Sequence, residues 1–306
     1  MDLIENLKSR CRSTPGVLGL PEGNDPRIIK AAAHLIESGC VSKILFPSTK
    51  DQIAQSAQVA GVDLNPLESK MLFTRTAATK PLVTTAQWLK EGRITAAVGG
   101  ATHSTADVIR AGISELGMRE GVRTVSGSFI MHKPHVATYL FADCGVVISP
   151  TIYQLADIAQ ESVLTMRTVL PDIAPRVAFL SFSTKGSAQH DSAKKMAAAC
   201  AEFQKRCPDV LSDGELQFDA AIDQEICQRK SPDSLIAGQA NLFIFPDLNS
   251  GNIAYKITQR LAHYEAYGPL LQGLTKPFSD LSRGSTVEDI ISTALISLVR
   301  GQTDIY

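Results

Sequence analysis

Two polar stretches of the sequence combine residue types that suit the binding of an anion. The first runs from Gly99 to Thr105 (GGATHST) and leads into a predicted helix that carries Arg110. Glycine lets the backbone approach a ligand closely, hydroxyls and first-turn amides can donate hydrogen bonds, and arginine adds a fixed charge. An ordinary capped helix with a surface arginine explains the same residues. The stretch matches neither a Walker loop nor G-x-G-x-x-G, so it predicts no ATP or dinucleotide site.

The second stretch runs from Ser282 to Asp289 (SRGSTVED). Ser285 and Glu288 have the spacing of a capping box, and an apolar stripe of helical period follows. Asp289 lies about 200° around that helix from Val287, off the stripe. Ser282, Arg283 and Asp289 are therefore expected near one helix end, although a helix-dipole acid beside a loop arginine accounts for them equally well.

Other polar groups give weaker signals. Three loops follow predicted strands, and together they suggest one lined cleft: residues 181–187, 213–215 and 246–252. The histidines are scattered without metal-ligand spacing, so no metal site is predicted. Cys144 is expected to be a buried thiol, and there is no G-x-S-x-G nucleophile elbow.

The elements that would position these residues alternate between short apolar runs and segments of helical period, which is typical of βα units in a parallel sheet. The clearest helix is Pro26 to Ser38, with Asp25 as its cap. Between Gly121 and Ile148 three strand-like runs follow one another without a helix, at residues 123–131, 136–141 and 145–148. This predicts antiparallel pairing and a domain boundary. The remaining predicted strands are 17–20, 43–46, 71–74, 94–98, 177–181, 210–212 and 241–245; the remaining helices are 83–90, 153–170, 191–206, 218–229, 251–261 and 286–300.

Composition restricts the class of protein. A length of 306 residues favours two domains, and 30 Lys and Arg against 31 Asp and Glu leave a net charge of −1. The total charge thus provides no attraction to nucleic acid or to a membrane surface, and any anion site must be local. Six cysteines without a C-x-x-C pair indicate reduced thiols. Without an apolar stretch of about 18 residues or a signal peptide, we expect a cytoplasmic protein with neither nucleic-acid nor membrane partners.

Long blocks of the chain resemble the phosphate acetyltransferases (phosphotransacetylases). They occur in the family's order and cover most of the chain after Ile94. Such a series of motifs is specific, and it favours the functional interpretation of the two anion-binding stretches. The blocks are 20–32 (LPEGNDPRIIKAA), 99–112 (GGATHSTADVIRAG), 124–131 (TVSGSFIM), 141–151 (FADCGVVISPT), 176–187 (RVAFLSFSTKGS), 213–222 (DGELQFDAAI), 245–261 (FPDLNSGNIAYKITQRL) and 268–290 (GPLLQGLTKPFSDLSRGSTVEDI).

The resemblance implies reversible acetyl transfer between CoA and inorganic phosphate, with acetyl-CoA, CoA, phosphate and acetyl phosphate as substrates. It implies an α/β protein of two α/β domains with a cleft between them, the isocitrate/isopropylmalate dehydrogenase-like fold, in a homodimer. The last helix would return to the first domain, so we expect domains of residues 1–122 plus 270–306 and of residues 123–269. Neither a metal nor a cofactor is expected, since CoA is a substrate.

Carried over position by position, the family's catalytic Ser-Arg pair falls on Ser282 and Arg283 and its base on Asp289. A phosphate-binding arginine falls on Arg110. A thiol with a pKa of about 8.5 is mostly protonated at neutral pH, so the carboxylate would take the CoA proton as sulfur attacks the acyl carbon. The arginines would hold phosphoryl oxygens. The matched blocks also contain other expected substrate-binding residues: Thr105, Ser126, Ser128, Asn249 and Gly251.

One segment departs from the family pattern. Met71 to Pro81 is shorter than its family counterpart, which carries a further substrate-binding arginine in an Arg-Lys-x-x-Gly context. The only arginine here is Arg75, in the context LFTRT, and the role cannot be carried over to it. The shortening could weaken CoA or phosphate binding, change the acyl preference, or be compensated by another residue.

Three alternatives remain open from the sequence. A phosphate butyryltransferase-type enzyme shares the fold and a similar length, although the DGELQFDAAI and SRGSTVED blocks favour the acetyl branch. An NAD-linked hydroxy-acid dehydrogenase suits the architecture but needs metal-binding carboxylates and a nucleotide site. A binding protein that kept the fold is suggested only by the shortened segment.

Overall fold

A computed structural model describes residues 2–303, and its contacts divide them into two compact units. The first unit contains the residues up to Arg119 and those from Tyr267 onward, and the second is Glu120–Ala266. The strands are β1 (Gly16–Gly19), β2 (Val41–Phe46), β3 (Met71–Phe73), β4 (Ala96–Gly99), β5 (Ser126–Lys133), β6 (Ala137–Ala142), β7 (Arg176–Leu180), β8 (Leu211–Leu216), β9 (Leu242–Ile244), β10 (Glu265–Gln272) and β11 (Phe278–Asp280).

The helices follow the periodicity of the apolar residues, and most begin at a polar cap. Among residues 2–303, none combines the length and the hydropathy needed to cross a bilayer. The helices are α1 (Leu3–Ser13), α2 (Pro26–Glu37), α3 (Lys50–Ala60), α4 (Pro81–Lys90), α5 (Thr105–Glu115), α6 (Ile152–Val169), α7 (Asp191–Arg206), α8 (Phe218–Ile222), α9 (Gln224–Lys230), α10 (Leu248–Leu261) and α11 (Val287–Gly301), with a short 3-10 helix at Glu68–Lys70.

The first unit has a five-stranded parallel sheet in the order β11-β4-β1-β2-β3. Strand β11 comes from the C-terminal part of the chain and pairs with β4, so that Asp280 lies opposite Gly99. Because all five strands are parallel, the loops after β1, β4 and β11 lie side by side at one edge of the sheet. Both anion-binding stretches of the sequence follow those strands.

The second unit has a six-stranded sheet in the order β10-β5-β6-β9-β7-β8. The predicted antiparallel pairing is confirmed for β5 and β6, while β6, β9, β7 and β8 pair in parallel. Phe141 and Phe243 pack edge to face in the core of this unit, with ring centroids 5.5 Å apart. The fold class predicted from the sequence is therefore confirmed as α/β, with two α/β units.

The strand predicted from Gly145 to Ile148 is wrong. The carboxylate of Asp143 accepts hydrogen bonds from the backbone amides of Gly145 (2.7 Å), Val146 (3.0 Å) and Val147 (2.8 Å). Those amides are consequently unavailable for a β-ladder. Burial raises the pKa of Asp143, although the backbone hydrogen bonds oppose that rise.

Two predicted helices differ from the observed ones because an aspartate caps a helix at an unpredicted position. The helix predicted over residues 218–229 is divided at Asp223, whose extended backbone ends α8 and whose carboxylate caps α9 by accepting from Ile226 N (2.9 Å). Helix α10 begins three residues earlier than Gly251, since Asp247 caps it and accepts from Ser250 N (2.8 Å). The periodicity does not predict α1, β10 or β11.

Candidate active site

Glu22, in the loop after β1, orders the loop after β4. Its fully buried carboxylate accepts hydrogen bonds from the amides of Ala101 (2.8 Å), Thr102 (2.7 Å) and His103 (3.0 Å). It also accepts from the Thr102 hydroxyl (2.9 Å) and lies 2.8 Å from His103 Nδ1. One buried carboxylate thereby holds three consecutive residues of the first anion-binding stretch in place. The sequence alone does not predict this role for Glu22. The only sequence signal is its place in the matched block LPEGNDPR.

The capping box of the last helix lies one residue later than predicted. Thr286, not Ser285, is the N-cap, and its hydroxyl accepts from Asp289 N (3.2 Å) while Asp289 Oδ2 accepts from Thr286 N (2.8 Å). The amide of Ser285 already donates to Ser282 O (2.9 Å) in a tight turn, so it cannot bond a side chain three residues ahead. The Ser285–Glu288 capping box is therefore wrong.

Ser282 and Arg283 lie in the turn that precedes α11, and Asp289 lies in the first turn of that helix. All three are exposed. The hydrogen bond from Thr286 N occupies one lone pair of the Asp289 carboxylate, which has about four acceptor sites in all. Asp289 can therefore cap the helix and still accept a proton from a bound molecule.

Arg110 lies on α5, where it lines a pocket of about 550 Å³ between the start of α4 and α5. Its guanidinium pairs with Asp107 at 2.7 Å; the Arg110 side chain is largely exposed and that of Asp107 about half exposed. A hydrogen bond from the Ser104 hydroxyl, followed by that from Arg110, lowers the pKa of Asp107. Lys80 and His103 line the same pocket, which therefore has three basic side chains beside the two acids Asp107 and Glu115. The other lining residues are Thr79, Pro81, Leu82, Val83, Ala111 and Ser114.

Thr105 is bonded to a buried acid that the sequence does not single out. Its hydroxyl donates to Asp280 Oδ2 (2.5 Å), and Asp280 is 1% exposed at the end of β11. Within the described residues, Asp280 Oδ1 has no hydrogen-bond partner. Burial raises the pKa of Asp280 to about 6, although the hydrogen bond from Thr105 opposes that rise; the charge of Glu22 adds a smaller upward contribution. Thr105 thus links the start of α5 to the strand that precedes Ser282.

Asp280→Asn is expected to change how stability depends on pH. The folded state raises the pKa of this carboxyl to about 6, above its unfolded value, so the folded state binds the proton more tightly. The contribution of Asp280 to the free energy of unfolding is therefore greatest at low pH and is lost as pH rises from about 4 to about 6. The variant should therefore gain stability relative to the parent between about pH 4.5 and about pH 7, measured by urea unfolding.

The matched control for that experiment is Asp209→Asn, since Asp209 is exposed and a hydrogen bond from Arg167 lowers its pKa. This control should show no such gain. An Asp280→Asn protein whose unfolding free energy runs parallel to that of the parent across this pH range would contradict the titration assigned to Asp280.

The other expected substrate-binding residues belong to the second unit. Ser126 and Ser128 are buried in β5, and within the described residues Ser128 Oγ has no hydrogen-bond partner. Asn249 is exposed near the start of α10. Gly251 is buried, and a Cβ there would lie 2.1 Å from the carbonyl oxygen of Asp143, so close packing alone requires glycine.

The polar loop after β7 is bonded to side chains of β8. The loop predicted at residues 213–215 is wrong, since β8 continues to Leu216. Lys185 pairs with Asp213, and Glu215 accepts from Ser183 Oγ (3.0 Å) and Gly186 N (2.7 Å). Much of their hydrogen-bonding capacity is therefore used within the second unit. The dehydrogenase alternative requires carboxylates that bind a metal ion. Across residues 2–303, no three His, Cys, Asp or Glu side chains are grouped so that they could hold one.

Comparison with known proteins identifies what the chain is similar to. Residues 69–298 match the model of the family described as Phosphate acetyl/butaryl transferase. A phosphate acetyltransferase from Paracoccus denitrificans is 40% identical, over 98% of this chain and 99% of that protein. The crystal structure of a phosphotransacetylase from Streptococcus pyogenes is 35% identical with a TM-score of 0.89, covering 98% of each chain.

A more distant likeness concerns the fold alone. The structure of a 4-hydroxythreonine-4-phosphate dehydrogenase from Klebsiella pneumoniae has a TM-score of 0.61 at 10% identity, and the match covers 94% of this chain and all of that one. This agrees with the dehydrogenase-like fold expected from the sequence.

Proposed function

We propose that acetyl transfer takes place at the start of α11. The premise is that this chain belongs to the Phosphate acetyl/butaryl transferase family. The enzyme interconverts acetyl-CoA and phosphate with acetyl phosphate and CoA. The assignment of the site rests on the position of Ser282, Arg283 and Asp289 at one helix start. The strand before them pairs with β4, whose following loop leads to Arg110.

Asp289 acts as the general base in this proposal. The CoA thiol has a pKa of about 8.5, so few molecules are ionised at neutral pH and a carboxylate must take the proton as the sulfur attacks. A C–S bond forms at the acyl carbon, the C–O bond to phosphate breaks, and the proton passes from sulfur to Asp289. Both substrates are bound together, and no acetyl group is held by the enzyme. A trapped acetyl-enzyme would contradict this route.

Arg283 and Ser282 stabilise the charge that develops during transfer. A guanidinium matches phosphoryl oxygens in a bidentate geometry and stays charged at every physiological pH. Arg283 therefore holds the phosphate that leaves, while the Ser282 hydroxyl donates to the oxyanion at the acyl carbon. Arg110 adds a second positive charge in the pocket between α4 and α5.

Lys80 takes the place of the arginine missing from the shortened segment. It is the N-cap residue of α4 and lines the pocket with Arg110, whereas Arg75 does not. CoA carries several phosphate groups, and a lysine ammonium binds phosphate as a point charge. Lys80→Ala should raise KM for CoA by about 10-fold, the loss of one charge-assisted hydrogen bond. Initial rates at varied CoA concentration measure this, with Arg75→Ala as the control that keeps the parental KM.

The experiment that tests the function is a phosphate-dependent assay of CoA release from acetyl-, propionyl- and butyryl-CoA. The expected result is release from acetyl-CoA that requires phosphate, with the highest kcat/KM of the three thioesters. A strong preference for butyryl-CoA would assign the chain to the butyryl branch of the family. Failure to release CoA from any of them would overturn the proposed function.

The active form is proposed to be a cytoplasmic homodimer. Ile253, Ile257 and Leu261 recur every four residues on α10 and are 56%, 52% and 76% exposed, so they form one apolar stripe on the helix. A two-fold contact with a second copy would bury this stripe in both subunits. Ile257→Glu should then yield a monomer in sedimentation velocity, while Gln228→Glu on exposed α9 should stay dimeric. A parent protein that sediments as a monomer would contradict the dimer.

A further inference from the structure

Arg27, at the start of α2, lies among the three loops that meet at the edge of the first unit's sheet. Its Nη1 donates to the carbonyl oxygens of Arg283 (2.9 Å) and Ser285 (2.8 Å). Its Nη2 donates to the carbonyl of Ala101 (3.0 Å) and to Asp25 Oδ2 (2.6 Å), and its Nε donates to Asp25 Oδ1 (3.1 Å). A guanidinium has five N–H groups, and these bonds use all of them.

We propose that Arg27 is a positioning residue that holds Ser282 and Arg283 in the geometry for acetyl transfer, and that it is not a ligand of the substrate phosphate. The proposal rests on the function assigned above. An arginine beside a phosphate site would ordinarily be expected to bind the anion. Here every donor already has a partner within the protein, so none remains for a ligand.

The segment from Ser282 to Ser285 depends on such an external anchor. Gly284 lies in its centre, where an added Cβ would find its nearest neighbour 3.8 Å away, so packing does not confine that residue. Two other hydrogen bonds, from Gly284 N to Ser282 Oγ (3.3 Å) and from Ser285 N to Ser282 O (2.9 Å), are internal to the segment. These two bonds shape the turn but do not attach it to the rest of the unit. Arg27 provides that attachment, because it bonds the carbonyl oxygens of the residues on both sides of Gly284.

Asp25 holds the guanidinium itself in a single orientation. Asp25 is buried, and its carboxylate accepts from both Nε and Nη2 of Arg27 and caps α2 by accepting from Arg27 N (2.8 Å). Burial favours a higher pKa for Asp25, but the hydrogen bonds and charge of Arg27 outweigh it and lower the pKa overall. The hydrogen bond to Asp25 in turn raises the pKa of Arg27. Both shifts favour the charged forms, so the ion pair is present at neutral pH.

The test compares kcat with KM in Arg27→Lys. Lysine keeps the charge and the backbone cap but has only three N–H donors on a single atom, so it cannot bond both carbonyls, Ala101 and Asp25 together. Since a misplacement of about 1 Å costs about 100-fold, kcat should fall by between about 10-fold and about 100-fold. KM for phosphate and for CoA should change less than about 3-fold, because ground-state binding is retained.

A second variant tests whether the guanidinium geometry itself is responsible. The Arg27 side chain is 33% exposed, so guanidinium ion from solution can enter the space left in Arg27→Ala. Millimolar guanidinium chloride should restore part of kcat there. The same salt should leave kcat unchanged in Arg93→Ala, whose guanidinium lies over the Trp88 ring in the same unit. Circular dichroism and thermal unfolding identify any variant that fails to fold. If Arg27→Ala does not fold, the kcat and KM of Arg27→Lys test the positioning role.

Two results would overturn the positioning role. One is a normal kcat in Arg27→Lys. The other is a rise of about 10-fold or more in KM for phosphate with kcat unchanged, which is the behaviour of a substrate ligand. Arg283→Ala assayed in parallel separates this inference from the proposed function. An inactive Arg283→Ala with a normal Arg27→Lys rejects the anchor alone, whereas a fully active Arg283→Ala rejects the site.

Discussion

Asp289→Asn is expected to lower kcat by at least about 100-fold, because general base catalysis contributes about 100-fold to 10,000-fold. The amide cannot accept the thiol proton, so attack would depend on the small fraction of CoA that is already ionised. The measurement is kcat for CoA release from acetyl-CoA at saturating phosphate. Near-normal turnover in this variant would show that Asp289 is not the general base.

The capping contact makes asparagine the informative substitution at this position. The side-chain oxygen of asparagine can still accept from Thr286 N, the bond that Asp289 Oδ2 makes. The helix start should therefore survive, and the loss of rate can be attributed to the base. Asp289→Ala removes both functions and should also lower the melting temperature. Glu288→Gln, which removes an exposed carboxylate from the same helix turn, should keep the parental rate.

Arg283→Ala is expected to cost at least about 100-fold in kcat, the size of effect seen when a group that stabilises transition-state charge is removed. Its side chain is exposed, and its carbonyl oxygen accepts from Arg27 (2.9 Å). Truncation of the side chain leaves that backbone bond in place, so the loop keeps its position and only the charge is lost. Rates at varied phosphate separate the effect on kcat from the effect on binding.

Arg283→Lys refines this experiment. Lysine retains the charge but not the planar pair of donors, so its rate should lie between those of the parent and Arg283→Ala. A rate for Arg283→Lys equal to the parental one would mean that charge alone matters and that bidentate contact with the phosphoryl group does not. Full activity in both variants would exclude Arg283 from the reaction.

Local patterns in the sequence predicted the elements that carry the site. The capping residue Asp25, the apolar run over residues 94–98 and the apolar period from Val287 onward all act over a few residues. Helix α2, strand β4 and helix α11 form at or within two residues of the places they indicate. The order of the matched blocks identified the candidate residues at the start of α11. Each of these signals depends on neighbours along the chain, which a single sequence contains in full.

Tertiary structure decided which groups serve those residues. The parallel pairing of β4 with β11 joins segments far apart in the chain, and it brings Thr105 to Asp280 and Arg27 to the carbonyls of Arg283 and Ser285. The capping box at Thr286 and the amides that bond Asp143 depend instead on neighbours in the chain, and there the local pattern was misread. Buried carboxylates and guanidinium groups take whatever donors and acceptors the fold brings near them, because an unpaired buried polar group is costly. Residue type alone does not specify those partners, whereas the arrangement of the strands does.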